Sequence, residues 1–170
     1  MAKILKNARI EVDALDGATL YPLGEATLVL AASIAAQARL RAVQLALQPL
    51  IAVLGVGNLS VRFDPLSDSS ARIGARIAAA WRVSEAAVTR PRQIELPVQY
   101  GGVWGADLGW VAERCQLSEQ AVIELHASAR YEVLCLGFLP GFPYLAGLPK
   151  ALHCPRRASP RLKVAAGSVG

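Results

Sequence analysis

The chain has 170 residues, of which 54% are hydrophobic and 18% charged, and its formal net charge is +5. That length suits one domain or two small ones with a genuine core, and the apolar share excludes intrinsic disorder. The basic excess is modest and, outside one late cluster, scattered, so it does not read as a nucleic-acid surface.

The opening stretch, MAKILKNARIEVD, has neither an apolar signal core nor a small-residue cleavage site. Ala26 to Leu54 is apolar enough to raise the question of a membrane span. Arg39 and Arg41 stand in its middle, with Gln37, Gln44 and Gln48 around them. Charges at bilayer depth are costly, so the pattern predicts a buried amphipathic helix and no membrane partner. Within that stretch Ala26 to Ala31 reads as a buried strand. From Ser33, a candidate N-cap, the apolar positions Ile34, Ala38, Val43, Leu45 and Leu47 predict a helix ending before Pro49. Gly55 to Pro65 alternates, with Leu59, Val61 and Phe63 against Ser60, Arg62 and Asp64, which predicts a half-buried strand closed by a turn at Asp64-Pro65. Asp68 to Trp81 places Ile73, Ile77 and Trp81 on one helical face. The first half therefore reads strand, helix, strand, helix, a small α/β sandwich.

Pro91 and Pro97 bracket a short extended run before Gly101-Gly102, and a domain boundary is expected near Val88 to Arg92. Beyond it, Ala106 to Cys115 predicts a helix with Leu108, Val111 and Cys115 on one face, and Asp107 is read as its N-cap in preference to a general base. Leu117 to Ala127 predicts another, capped by Ser118 with Glu119 in the first turn. Tyr131 to Phe138 is a strand, and the remainder reads as loop and short extended pieces.

Chemistry concentrates late in the chain. Proline fixes φ and glycine permits positive φ, so LPGFPYLAGLP (Leu139 to Pro149) is a stiff, sharply turning loop that fixes Phe138, Phe142 and Tyr144. A loop pinned to the core by its aromatics and a loop that builds a site are both consistent with this. Next come Arg156, Arg157, Arg161 and Lys163. Pro155 and Pro160 forbid a helix there, and in extended chain Arg156 and Arg157 face opposite sides. Guanidinium matches carboxylate or phosphate bidentately, so a small anionic substrate is the functional reading and a solvated basic rim the bland one. His126 falls at the end of its helix, on the face of Val122, where a cation favours the helix C-terminus; that role and a catalytic one are equally open. His153 is ranked structural. The three cysteines, Cys115, Cys135 and Cys154, have no metal-like spacing and read as reduced thiols of the cytoplasm. No metal motif, phosphate loop or nucleophile elbow is recognisable.

Five stretches carry a resemblance: Tyr100 to Leu108, His126, Gly137 to Leu145 (GFLPGFPYL), Pro155 to Arg161 (PRRASPR) and Ala166 to Gly170 (AGSVG). Residues 96 to 170 thereby resemble the allophanate hydrolase subunit 1 (carboxyltransferase-domain) family, which includes the B subunit of bacterial 5-oxoprolinase and the kinase inhibitor KipI. The N-terminal half matches loosely: LGEATLVL looks like the family's G-D-x-A-L box with Glu25 in place of Asp.

The resemblance implies an α+β protein, with a small α/β N-terminal domain over 1–90 followed by a cyclophilin-like β-barrel domain over 91–170. Family members continue past A-G-S-V-G, so the barrel is expected to be incomplete and its open edges to reduce solubility. The resemblance also implies the work of the B subunit in an ATP-dependent 5-oxoprolinase, a hydrolase opening 5-oxoproline to glutamate. Its partners would be a second allophanate-hydrolase-type subunit (the C subunit of 5-oxoprolinase) and the lactam-utilisation A subunit, with ATP acting at the level of the complex. The alternative is a KipI-like inhibitor of a sensor histidine kinase; a prolyl isomerase is suggested by the barrel alone. The site implied has His126 as the catalytic group and Arg157, Arg161, Phe142 and Tyr144 as substrate-binding residues. Arg157 is preferred to Arg156 because its parity agrees with that of Arg161.

Overall fold

The structure, a computed structural model, describes residues 15–84 and 92–170. The opening stretch and, apart from Arg92, the expected boundary near Val88 lie outside the described residues. The chain divides into two compact units. The first runs to Gln93 and includes Glu132–Ala146; the second comprises Ile94–Tyr131 and Gly147–Gly170. The segment Glu132–Ala146, within the expected 91–170 domain, thus groups with the first unit.

The first unit contains β1 (Ala18–Pro22), β2 (Thr27–Ala32), α1 (Gln37–Ala46), β3 (Ile51–Gly55), β4 (Asn58–Arg62) and α2 (Ser70–Val83), followed after the second unit's helices by β5 (Glu132–Leu136) and β6 (Pro143–Ala146). The first four strands form one antiparallel sheet in the order β1-β2-β4-β3. β4 lies between β2 and β3, which therefore run parallel to each other, joined through α1. The sequence reading missed β1 and β3. β1 is a five-residue edge strand with one buried side chain, and β3 is the opposite edge, with Ile51 and Val53 exposed. Short edge strands with one covered face carry too little alternation to be read. The central strands were legible. Leu28 and Leu30 of β2 meet Val61 and Leu59 of β4 in register, and all four are fully buried.

The helices cover this face. α2 presents Ile73, Ile77 and Trp81, all buried, as their spacing predicts. Its cap is Ser69, whose hydroxyl accepts the Arg72 amide at 3.3 Å. α1 differs from expectation. Ser33 makes no capping bond, a 3-10 turn occupies Ile34–Ala36, and the buried residues are Gln37, Leu40 and Val43, with Leu47 just beyond. Ile34 precedes the α-helix, and Ala38 and Leu45 are exposed because they fall opposite the stripe of Leu40, Val43 and Leu47. Fully burying each Leu or Ile contributes about 1.5–3 kcal/mol. Arg39 is well used: its guanidinium lies 4.0 Å from the Trp81 ring centroid and donates to the Trp81 carbonyl at 2.7 and 3.1 Å. It thus supplies charge and hydrogen bonds at the C-terminal end of α2. Among the described residues no helix is long and apolar enough to cross a membrane.

Among the described residues the buried polar side chain of this unit is Gln37. Its amide nitrogen donates to the carbonyls of Gly55 (2.8 Å) and Leu134 (3.0 Å), and its oxygen accepts the Gly57 amide at 2.9 Å. Leu134 is the extra residue of a β-bulge, since Val133 pairs with Leu145 and Cys135 with Tyr144. The bulge frees a backbone group from the ladder, and Gln37 takes its carbonyl. Gly57 has φ of +69°, and a Cβ there would stand 3.0 Å from the Ala32 carbonyl, so glycine is required in the turn that meets this side chain.

The second unit contains α3 (Leu108–Cys115), α4 (Glu119–Ser128) and a 3-10 turn at Lys150–Leu152. Ala112, Val122 and Leu152 are its small core, with Leu108, Val111, Cys115, Leu117 and Leu125 packed on it. Ser118 caps α4, accepting the Ala121 amide at 3.1 Å. Both sheets are open, and among the described residues no closed barrel is present. The chain is therefore α+β, and among the described residues of its later half strand pairing is confined to the β5–β6 hairpin.

Gln37→Leu removes the side-chain bonds to the Gly55 and Leu134 carbonyls and to the Gly57 amide. It is expected to cost about 1–3 kcal/mol, seen as a lower urea midpoint at unchanged slope. Arg41→Ala, on the exposed side of α1, should stay within ~0.5 kcal/mol. Equal midpoints for Gln37→Leu and the parent would refute the role given to this amide.

Candidate functional site

Asp107 is the residue before α3, and it is held by the turn Gly101–Gly105, in which the amides of Trp104 and Gly105 both donate to the Gly101 carbonyl at 3.2 and 2.9 Å. A Cβ at Gly105 would lie 2.3 Å from the Gly101 nitrogen, so backbone packs where any side chain would stand. The carboxylate does not cap the helix as the sequence reading expected. Its Oδ1 accepts from Arg157 Nη1 at 2.7 Å and from Arg161 Nη2 at 2.8 Å. The two charge-assisted bonds compete successfully with a local cap because they come from full charges fifty and fifty-four positions away in the chain. The hydrogen bond from Arg161 holds the Asp107 carboxyl below the usual carboxylate range, opposed by burial and reinforced by the charges of Arg161 and Arg157.

Each guanidinium uses one nitrogen on Asp107 and is roughly half exposed, at 47% and 43%. Further N–H donors of each remain in the fixed fork that suits a second anion. One carboxylate against two guanidiniums leaves the cluster with a single net positive charge. Arg156 and Lys163 are exposed. His153 is exposed too, and its Nε2 lies 3.2 Å from the Leu148 carbonyl.

His126, in the last turn of α4, is half-buried between two tyrosines of the same unit. The Tyr100 hydroxyl lies 2.6 Å from Nδ1, and the Tyr131 hydroxyl donates to the His126 carbonyl at 3.1 Å. The rings stand 5.7 and 5.4 Å from the imidazole centroid. Burial pushes the Tyr100 hydroxyl up, and burial followed by the charge of Tyr100 pushes up Tyr131, so both remain O–H donors at neutral pH. A Tyr100 hydroxyl donating to Nδ1 puts the proton of the neutral ring on Nε2. In the sequence Tyr100 stands out only as part of a motif; nothing in its spacing announces a contact with a residue twenty-six positions on.

The aromatic loop belongs to the first unit. Phe138, Phe142 and Tyr144 stack edge to face, with centroids 5.6 and 5.3 Å apart. Phe138 has φ of +63° and is 81% exposed. The loop is closed by bonds from the Gly137 amide to the Phe142 carbonyl at 3.0 Å and from the Phe142 amide to the Leu139 carbonyl at 3.0 Å. In the second unit, Cys115 and Cys154 bring their sulfurs to 3.4 Å, a pairing thirty-nine residues apart that no spacing rule reveals. Among the described residues no three His, Cys, Asp or Glu side chains gather as a metal site.

The profile of the carboxyltransferase domain, subdomain C and D, family matches residues 17–170. The chain is 50% identical over 119 residues to the B subunit of 5-oxoprolinase from Escherichia coli O157:H7, covering 70% of this chain and 55% of that protein. It is 44% identical over 118 residues to the B subunit of 5-oxoprolinase from Haemophilus influenzae, covering 69% and 55%. It therefore spans about half the length of these relatives. The crystal structure of TTHA0988 superposes with a TM-score of 0.64 at 34% identity, over 82% of this chain and 28% of that one.

The depressed Asp107 carboxyl has a defined sign. Its pairing stabilises the folded chain fully above the ordinary aspartate value of about 3.9 and is lost as pH falls through the lower folded value. The effect on stability is small, since all three side chains are more than a third exposed and screened. A carboxyl-carbon NMR titration should find Asp107 below the ordinary value. Arg161→Ala should raise it more than Arg157→Ala, because the Arg161 bond is the leading cause. An Asp107 that titrates normally in the parent chain would refute the pairing.

Proposed function

This chain belongs to the family of the carboxyltransferase domain, subdomain C and D, and from that premise we propose that it acts as the B subunit of a cytoplasmic, ATP-dependent 5-oxoprolinase. The observation that carries the reading is the pair of arginines held on one carboxylate. Arg157 and Arg161 offer a pre-positioned, net-positive fork to the carboxylate of a small lactam. Pre-positioning matters because a guanidinium already fixed by Asp107 loses less freedom when the substrate arrives. His126 serves as the proton donor to the lactam nitrogen, through the Nε2 that its contact with Tyr100 leaves free. Phe142 and Tyr144 are assigned to substrate binding as aromatics of the first unit. The relatives are named as B subunits, which supports an assembly of several chains.

The proposed partners are the C subunit and the lactam-utilisation A subunit of 5-oxoprolinase, and the barrel domain implied by the resemblance would be completed in the longer family members. ATP is placed at the level of that complex. The chain carries no phosphate-binding glycine loop of recognised spacing, so no step here is routed through the nucleotide. An apolar hairpin supports a protein partner: Val133, Leu136, Phe138, Leu139 and Leu145 are all at least 47% exposed, a patch of the kind that marks interaction surfaces. The same patch favours a second reading, a KipI-like inhibitor of a sensor histidine kinase.

Turnover of 5-oxoproline by the complex reconstituted from full-length subunits is the measurement that decides. Removing a charge-assisted contact to a bound carboxylate costs about 1.5–3 kcal/mol, so Arg157→Ala and Arg161→Ala should each lower kcat/KM roughly ten- to a hundred-fold. Arg156→Ala and His153→Ala should stay near the parent. His126→Ala should lose one limb of the pH-rate profile. Unchanged turnover for all of the site variants in a complex that still assembles would move the site elsewhere. Inhibition of kinase autophosphorylation without any lactam turnover would favour the second reading.

A further inference from the structure

Cys115 ends α3, and Cys154 follows the 3-10 turn Lys150–Leu152. Their sulfurs are 3.4 Å apart, close enough that one thiol hydrogen-bonds the other. Both side chains are half-buried, whereas Cys135 lies buried on β5 in the first unit. The two positions are well supported: Cys115 packs on the Ala112, Val122 and Leu152 core, and Leu152, two residues before Cys154, is itself a member of that core. Two sulfurs already in contact are within reach of a covalent bond once side-chain rotation brings the disulfide dihedral to its preferred value. Partial exposure gives a small oxidant access.

We propose that Cys115 and Cys154 are a reversible redox-modification site, oxidised to an intramolecular disulfide by low-molecular-weight disulfides of the glutathione class. The chemistry balances as two exchanges. One thiolate attacks the oxidant's sulfur–sulfur bond, forming a mixed disulfide and releasing one small thiol. The second cysteine then loses its proton and attacks the mixed disulfide, forming the Cys115–Cys154 bond and releasing the other small thiol. The protein loses two electrons and two protons, and the oxidant gains them.

The bond would fall where it matters for the rest of the unit. The segment from Cys154 to Arg161 already touches the N-terminal end of α3 through Arg157, Arg161 and Asp107, and it touches the C-terminal end through Cys115. Oxidation would make the second of these contacts covalent, fixing the base of the segment that carries both arginines. Burial, together with the hydrogen bond to Cys115, pushes the Cys154 thiol up, so exchange is slow at neutral pH and is best followed in mildly alkaline buffer.

The test uses the native chain with oxidised glutathione, a quench with N-ethylmaleimide, and peptide mass mapping. The expected product is a cross-link between the peptides bearing Cys115 and Cys154, a whole-protein mass lower by two hydrogens before the maleimide additions, and Cys135 not cross-linked. Dithiothreitol should restore the starting mass. Cys135→Ser should leave the cross-link intact, and Cys115→Ser should stop at a glutathione adduct on Cys154. The wild-type map stands by itself if a variant fails to fold. Wild-type protein that stops at glutathione adducts, that cross-links Cys135 instead, or that oxidises only after unfolding would overturn the proposal.

Discussion

The first unit depends on a buried amide. Gln37 stands at the first position of α1 and joins the β3–β4 hairpin, at the end of β3 and in its glycine turn, to the bulge of β5, which belongs to the other sheet. The bond to the Leu134 carbonyl is buried and the two to the hairpin are part-buried, and buried polar groups cost more to leave unpaired than a bond gains when made. This accounts for a polar side chain, 6% exposed, in an otherwise apolar interior. It also gives the β5–β6 hairpin a fixed attachment to the unit, although the hairpin forms a sheet of its own.

The second unit is organised differently. Its apolar core is small, and the long C-terminal stretch after Leu152 has almost no regular structure. What positions that stretch is charge. Asp107 is aimed by a tight glycine turn and meets two arginines that arrive from far along the chain. These contacts are exposed enough that they contribute little to stability. Their effect is on placement: they hold two flexible cationic side chains at one point, which is the arrangement an anion-binding surface requires.

Polar contacts of the same long-range kind define His126. Its helix position alone allows either a favourable helix-terminus charge or a chemical role. Two flanking tyrosines narrow the options by engaging one ring nitrogen and the backbone carbonyl.

The sequence by itself determined the elements whose pattern is local. The buried faces of β2, β4 and α2, the cap at Ser118 and the family motifs could all be read from spacing and residue type. It misplaced part of the buried stripe of α1, because Ala38 and Leu45, apolar in type, fall on the opposite face from Leu40, Val43 and Leu47. It missed β1 and β3, because edge strands are defined by the partner they pair with. Only the tertiary structure decided the pairings that link distant positions: Asp107 with Arg157 and Arg161, Tyr100 with His126, Cys115 with Cys154, Gln37 with Leu134. The physical reason is common to all four. A hydrogen bond or ion pair depends on where two groups meet in space, and spacing along the chain records that only when the chain between them is a single helix or hairpin.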